Sequence, residues 1–231
     1  MTRILLLLIL ALCITSCKGQ EYEDEQFDLS KLNFNLNADK FYSKSMNREN
    51  IKFSSEKQYV EKDTINEYDL DWNGDKNAIF GVQFNVESYS RKDTVALYKN
   101  LTFYKLEAMT TEKGDLMLVS ATGMCSDHDF QVIAQKNTGE YGKPLIEQKE
   151  FSYFKTYHYT WKLSDRIIQL VSKAKIDFNQ TPHNIFTEQD KKVIKETSKD
   201  RLDEIHLFIC KTEYEKKLKG KIITGDWSDF K

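Results

Sequence analysis

Strict alternation of apolar and polar side chains recurs along this chain, and it constrains the fold more than any other feature. Phe80, Val82, Phe84 and Val86 alternate with Gly81, Gln83, Asn85 and Glu87, the pattern of a strand with one buried face. LTFYKLEAM (101–109) and LMLVSATG (116–123) flank TTEKGD, which predicts a hairpin with Gly114 in its turn. Along FSYFKTYHYTWKL (151–163), Phe151, Tyr153, Tyr157, Tyr159, Trp161 and Leu163 share one parity, while Ser152, Thr156, His158, Thr160 and Lys162 share the other. The turn SDR leads into IIQLVSKAKI. Setting Leu163 opposite Ile168 brings Trp161 opposite Leu170, so the apolar faces of the two strands coincide.

Two helices interrupt this pattern. Asp127 or Asp129 can cap FQVIAQK, which runs out near Asn137 to Gly139. Thr187 and Asp190 resemble a capping box opening EQDKKVIKETSKDRL. IHLFIC (205–210) reads as a late strand, and EYEKKLKG (213–220) fits either class. Pro144 and Pro182 are the only prolines, and nothing inside residues 36–231 reads as a linker or a repeat. The prediction is one α+β domain over 36–231 on a mostly antiparallel sheet.

The N-terminus is of another kind. Arg3 precedes ILLLLILALCI, an apolar run well short of the ~20 residues that span a bilayer. A positive start and a short apolar core describe an export signal. Ile14-Thr15-Ser16-Cys17 then resembles the lipobox of bacterial lipoproteins, in which signal peptidase II cuts before a diacylglycerol-modified cysteine. The resemblance covers the first seventeen residues. It implies a signal peptide over 1–16 and a palmitate-type lipid anchor on Cys17, with the mature protein tethered in the cell envelope. Lys18 in place of aspartate after that cysteine favours the outer membrane by the family's sorting rule. Residues 17–35 read as the lipidated cysteine and an acidic tether, with EYEDE (21–25) kept extended by like-charge repulsion.

Removing the first 16 of 231 residues leaves 215 and takes Arg3 with it, moving the formal charge from −2 to −3. A mildly acidic chain without a basic stripe gives no electrostatic case for nucleic acid. Cys13 leaves with the signal, and Cys125 and Cys210 remain as an even pair in a disulfide-permissive compartment. They can form a bridge, or pack as two buried free thiols.

Candidate chemistry is sparse. Asp69, Asp71, Asn73 and Asp75 in EYDLDWNGDKNAIFGV alternate like calcium ligands. An EF-hand register puts Phe80 where the bidentate glutamate belongs. A D-x-N-G-D register starting at Asp71 lacks its closing aspartate and brings in Lys76. Asn73-Gly74 is also the signature of a type I′ hairpin turn, and the turn is the preferred reading over calcium. Cys125, Asp127, His128 and Asp129 have the types of a metal or cysteine-nucleophile site, but a loop entering a helix needs the same residues. His158, His183 and His206 are isolated, with His158 on the polar parity of its strand. Tyr153, Tyr157, Tyr159 and Trp161 could line a groove, though alternation predicts the core face of a sheet. No nucleophile elbow or phosphate-binding glycine loop occurs.

These observations point to a non-catalytic, lipid-anchored envelope protein that binds another envelope protein or a small ligand. An inhibitor or immunity protein is a specific version. The alternatives are an envelope hydrolase whose site assembles around His128 or His158, and a calcium-stabilised adhesive module.

Overall fold

The computed structural model describes residues 26–46, 58–88, 91–151, 154–176, 187–197, 202–222 and 227–231. Ten strands form one sheet in these residues: β1 Phe27–Asp28, β2 Gln58–Asn66, β3 Ile79–Ser88, β4 Ala96–Tyr98, β5 Leu101–Thr110, β6 Leu116–Cys125, β7 Leu145–Phe151, β8 Phe154–Lys162, β9 Arg166–Ile176 and β10 Asp203–Lys211. Eight of them run antiparallel in the order β2-β3-β5-β6-β10-β9-β8-β7. β4 lies beside the start of β5, on the same edge that β3 uses further along. β1 pairs with β4 in parallel. Helices α1 Ala38–Met46, α2 Glu67–Leu70, α3 Asp127–Tyr141, α4 Glu188–Thr197 and α5 Glu215–Leu218 complete an α+β domain. Among the described residues no helix is long and apolar enough to cross a membrane.

The expected hairpins form. Between β5 and β6 the Thr111 N–H donates to the Asp115 carbonyl at 2.9 Å, and Gly114 takes φ 86°, a region open to glycine. Between β8 and β9 the loop is tighter than expected. Leu163 N–H donates to Arg166 O at 2.8 Å, leaving only Ser164 and Asp165 in the turn. Trp161 therefore faces Ile168 and Tyr159 faces Leu170, a register two residues from the expected one. A shift of two preserves parity, so the apolar faces still coincide. The expected single strand over 151–163 is instead the end of β7 and the whole of β8.

The central strands of the sheet are buried on both faces. On the first, α1, α3 and the N-terminal segment cover Phe84, Leu106, Trp161, Leu170 and Leu207. Ser126, not Asp127 or Asp129, caps α3, its Oγ accepting from the Asp129 N–H at 3.1 Å. α4 opens on the expected box, with Thr187 Oγ1 accepting from Asp190 N–H at 3.1 Å and Asp190 Oδ2 accepting from Thr187 N–H at 2.8 Å. On the second face Leu218, Ile222, Trp227 and Phe230 pack over Met109, Leu118, Ile167, Phe208 and Cys210. Buried Gln169 bonds both the N–H and the carbonyl of Lys231, at 3.2 and 3.1 Å.

One expectation is corrected here, and one of two open alternatives is decided. The folded domain starts before residue 36, because Leu29, Leu32 and Phe34 are core residues. Arg166 Nη1 donates to Leu32 O at 3.1 Å, and its guanidinium lies 5.5 Å from the Phe34 ring. Cys125 and Cys210 are both free and buried. Cys210 pairs with Leu118, seven residues along β6 from Cys125, or about 23 Å at roughly 3.3 Å per residue. They also belong to opposite faces, so the bridge that the pair allowed is not made.

Candidate binding site

The segment 67–78 joins β2 to β3 and begins with the single helical turn α2. Asp69 Oδ2 accepts from the Asn66 N–H at 2.8 Å, tying the helix start back on itself. Asp71 Oδ1 accepts from the Asn73 N–H at 2.9 Å and from its side-chain amide at 3.1 Å. Asp75 Oδ1 accepts from the Asn77 N–H at 2.8 Å. Each carboxylate thus holds its own local turn. Among the described residues no three His, Cys, Asp or Glu side chains are grouped as a metal ion would need.

The connection turns the chain, but not as a type I′ hairpin. That turn needs positive φ at both central residues, and neither Asn73 nor Gly74 has it. Gly74 is required for another reason: a Cβ there would lie 2.5 Å from the Glu67 carbonyl carbon and 2.8 Å from the Tyr68 nitrogen. The loop folds back onto α2 through a gap that admits no side chain.

This folding-back leaves a pocket of about 160 Å³. Leu70 and Phe80, both nearly buried, give it apolar walls, and Glu67, Asp71 and Lys221 bring charge to it. Lys217 Nζ donates to the Phe80 carbonyl at 3.3 Å and sits 4.5 Å from the Phe80 ring centre. Trp72, between the lining residues Asp71 and Asn73, is 71% exposed, and Ile79 beside Phe80 is 49% exposed. The site thus combines a preformed small cavity with two large apolar side chains held in water.

A second concentration of polar groups lies on the second face. A bulge in β5 sets Phe103 opposite Gly123 but Lys105 opposite Thr122, leaving Tyr104 as the extra residue. Lys105 Nζ approaches Glu107 Oε1 at 3.2 Å, and Gln83 Nε2 donates to the same oxygen at 3.1 Å. On β10, His206 Nε2 lies 3.1 Å from Glu204 Oε1, and the Tyr104 hydroxyl donates to Glu204 Oε2 at 3.4 Å. His206 Nδ1 and Ser120 Oγ are buried with no hydrogen-bond partner among the described residues. His206 is therefore not the isolated histidine its sequence context suggested. The Asp203-Glu204-Ile205-His206 alternation carried that signal, had the strand been started at Asp203 instead of Ile205.

The remaining candidates separate. Cys125 is buried while Asp127, His128 and Asp129 stand exposed on the first turn of α3. Burial, helped by the nearby aspartates, pushes the Cys125 thiol up to about 12. Burial does the same at Cys210, also to about 12. Neither supplies a thiolate nucleophile near neutral pH. His158 is fully buried, not solvent-facing, because the second face of β8 is covered as well. Trp161 is core, its Nε1 donating to the Gly142 carbonyl at 3.1 Å, while Tyr159 packs half-buried against that core and Tyr157 is half-buried. Cys17, Tyr153 and His183 lie outside the described residues. No family model matches the chain, and no curated protein and no solved structure is significantly similar to it.

Proposed function

We propose that this is a lipid-anchored envelope protein that binds another envelope protein through the β2–β3 connection. The observation that carries the reading is the pocket together with Trp72. A cavity of about 160 Å³ is smaller than the roughly 300–1,000 Å³ of pockets that take drug-sized ligands. It is the size for one inserted side chain or a very small molecule. An exposed tryptophan beside such a pocket is the pairing found at interface hot spots. The Ile14–Cys17 lipobox supports the anchor, and Lys18 supports the outer membrane. Two or three acyl chains on Cys17 give a stable attachment. An inhibitor or immunity role is the specific form that a single tight partner would take.

In-cell crosslinking of the tagged, lipidated protein followed by mass spectrometry tests the reading. One dominant, stoichiometric partner is expected, and no specific partner would overturn it. Replacing Cys17 by serine should leave precursor or unattached protein, and normal membrane attachment of that variant would remove the anchor.

The Glu204–His206 pair, its imidazole buried and its carboxylate part-buried, favours one alternative, an envelope hydrolase. The carboxylate orients the imidazole and leaves Nδ1 for a proton transfer, but His206 is only 4% exposed. That reading requires an opening of the second face to admit substrate. Loss of a hydrolytic activity in His206→Gln would support it.

A further inference from the structure

The β2–β3 connection is one-sided in charge. Residues 67–78, EYDLDWNGDKNA, carry four carboxylates and one lysine. That lysine, Lys76, lies over the Tyr68 ring, 4.5 Å from its centre. Lys217 and Lys221 approach from α5 and the residues after it, the first bonded to the Phe80 carbonyl and the second exposed at the pocket wall. Four carboxylates against three ammonium groups leave the site with a formal charge of −1. Among the described residues Glu67 makes no side-chain hydrogen bond or ion pair, and Asp71 commits only Oδ1, to Asn73. Both carboxylates line the pocket.

We propose that the bound protein inserts an arginine side chain into this pocket, with its guanidinium on Glu67 and Asp71 and its stem against Leu70 and Phe80. The inference rests on the reading of the β2–β3 connection as the binding site, and it names what enters. Docking takes water away from the pocket wall. An aliphatic or phenyl group would strip water from Glu67 and Asp71 without returning a donor, and a carboxylate left so is costly. An incoming carboxylate or phosphate would meet two charges of its own sign. A guanidinium offers five N–H donors in one plane and gives up water more readily than an ammonium.

Size and walls agree with this. A cavity of roughly 150 Å³ takes a benzene ring, a guanidinium with its last methylene is of similar size, and this pocket offers about 160 Å³. The Phe80 ring already holds one cation, Lys217 at 4.5 Å. Trp72, between the lining residues Asp71 and Asn73, presents a second aromatic face that is largely in water, and arginine stacks on such faces. Lys221 opposes an incoming positive charge. Its removal should therefore help an arginine to bind, whereas it would weaken an anionic occupant.

The test titrates the full lipidated chain in detergent with N-acetyl-arginine amide at fixed ionic strength. The readout is the emission of Trp72, since Trp161 and Trp227 are buried. Saturation is expected, with N-acetyl-leucine amide and N-acetyl-glutamate amide binding several-fold more weakly. Glu67→Gln should weaken the arginine probe several-fold, as should Asp71→Asn, which keeps the acceptor for Asn73. Lys221→Gln should tighten it by about twofold. No saturation, a leucine or glutamate probe that binds as tightly as arginine, or a Kd unmoved by Glu67→Gln overturns the proposal. Partner capture in cells separates it from the reading on which it rests. A partner lost both in Trp72→Ala and in the Glu67→Gln/Asp71→Asn double variant supports the arginine. A partner lost in Trp72→Ala but kept in the double variant leaves the site standing and overturns the arginine. A partner kept in Trp72→Ala overturns the site, and its occupant with it.

Discussion

Asp71 and Asn73 are tied to each other twice: one carboxylate oxygen of Asp71 accepts from both the backbone N–H and the side-chain amide of Asn73. That arrangement engages one oxygen of Asp71 in the local turn, as the Asn77 N–H engages one oxygen of Asp75, and among the described residues no third carboxylate, His or Cys joins them in a metal-holding group. Calcium should therefore leave the thermal midpoint unchanged relative to a chelator. The check is a pair of melting curves on the native chain and on an Asp71→Ala/Asp75→Ala variant. A rise with calcium in the native chain that the variant abolishes would mean that these side chains turn to hold an ion.

Gly74 decides whether the loop can fold back onto α2. An alanine Cβ would meet main-chain atoms of Glu67 and Tyr68 below 3 Å, and main chain cannot give way like the end of a long side chain. Gly74→Ala should destabilise by roughly 1–3 kcal/mol, the range for overpacking, and distort the pocket. Denaturant unfolding gives the first quantity. An unchanged midpoint would show that the loop does not approach α2 this closely.

His158 predicts an acid-dependent loss of stability. It is fully buried, and burial, assisted by Lys149, pushes its pKa from 6.5 down to about 4, with Lys231 acting in the same sense and Asp229 and Glu147 opposing. Between those values the unfolded chain binds a proton that the folded chain refuses. The contribution is complete above about pH 6.5 and is lost as pH falls towards about 4. Its full size is on the order of 3 kcal/mol by linkage. Unfolding curves at pH 7 and pH 4.5 for the native chain and for His158→Gln should differ in slope, the variant being flatter in this window.

The two thiols make a redox prediction. Because Cys125 and Cys210 are free, buried and far apart, a reductant should not move the melting temperature. Alkylation should proceed only after unfolding, since both pKa values lie at about 12. A drop of several degrees in reductant would require a bridge that this fold does not hold.

How far the residues foretold this can be seen element by element. The β5–β6 and β8–β9 hairpins were legible because alternation and turn residues agree locally. The β8–β9 register moved by two because a two-residue loop is tighter than the one assumed, a choice that parity alone does not make. α1 and β2 went unseen: ADKFYSKSM and QYVEKDTIN show only a weak apolar period, and packing on the sheet decides them. Leu29, Leu32 and Phe34 looked like scattered apolar residues in a tether, since only the partners in β4 and β9 reveal them as core. Alternation read His158 as surface because it assumes one wet face, and here the C-terminal segment covers the other. Of the candidate site, Asp71 and Asn73 were legible. Lys221 was not, because it reaches the pocket from a position 141 residues beyond Phe80.

The most direct measurement is partner capture by Trp72→Ala beside the native chain, both lipidated, tagged and crosslinked in cells. Trp72 is largely in water, so its loss should leave folding intact, as the far-UV spectrum and melting curve of each protein will report. The account predicts that the dominant partner falls by at least tenfold, equivalent to about 1.4 kcal/mol or more of binding free energy. Capture of the same partner at an unchanged level would contradict the claim that the β2–β3 connection is the binding site.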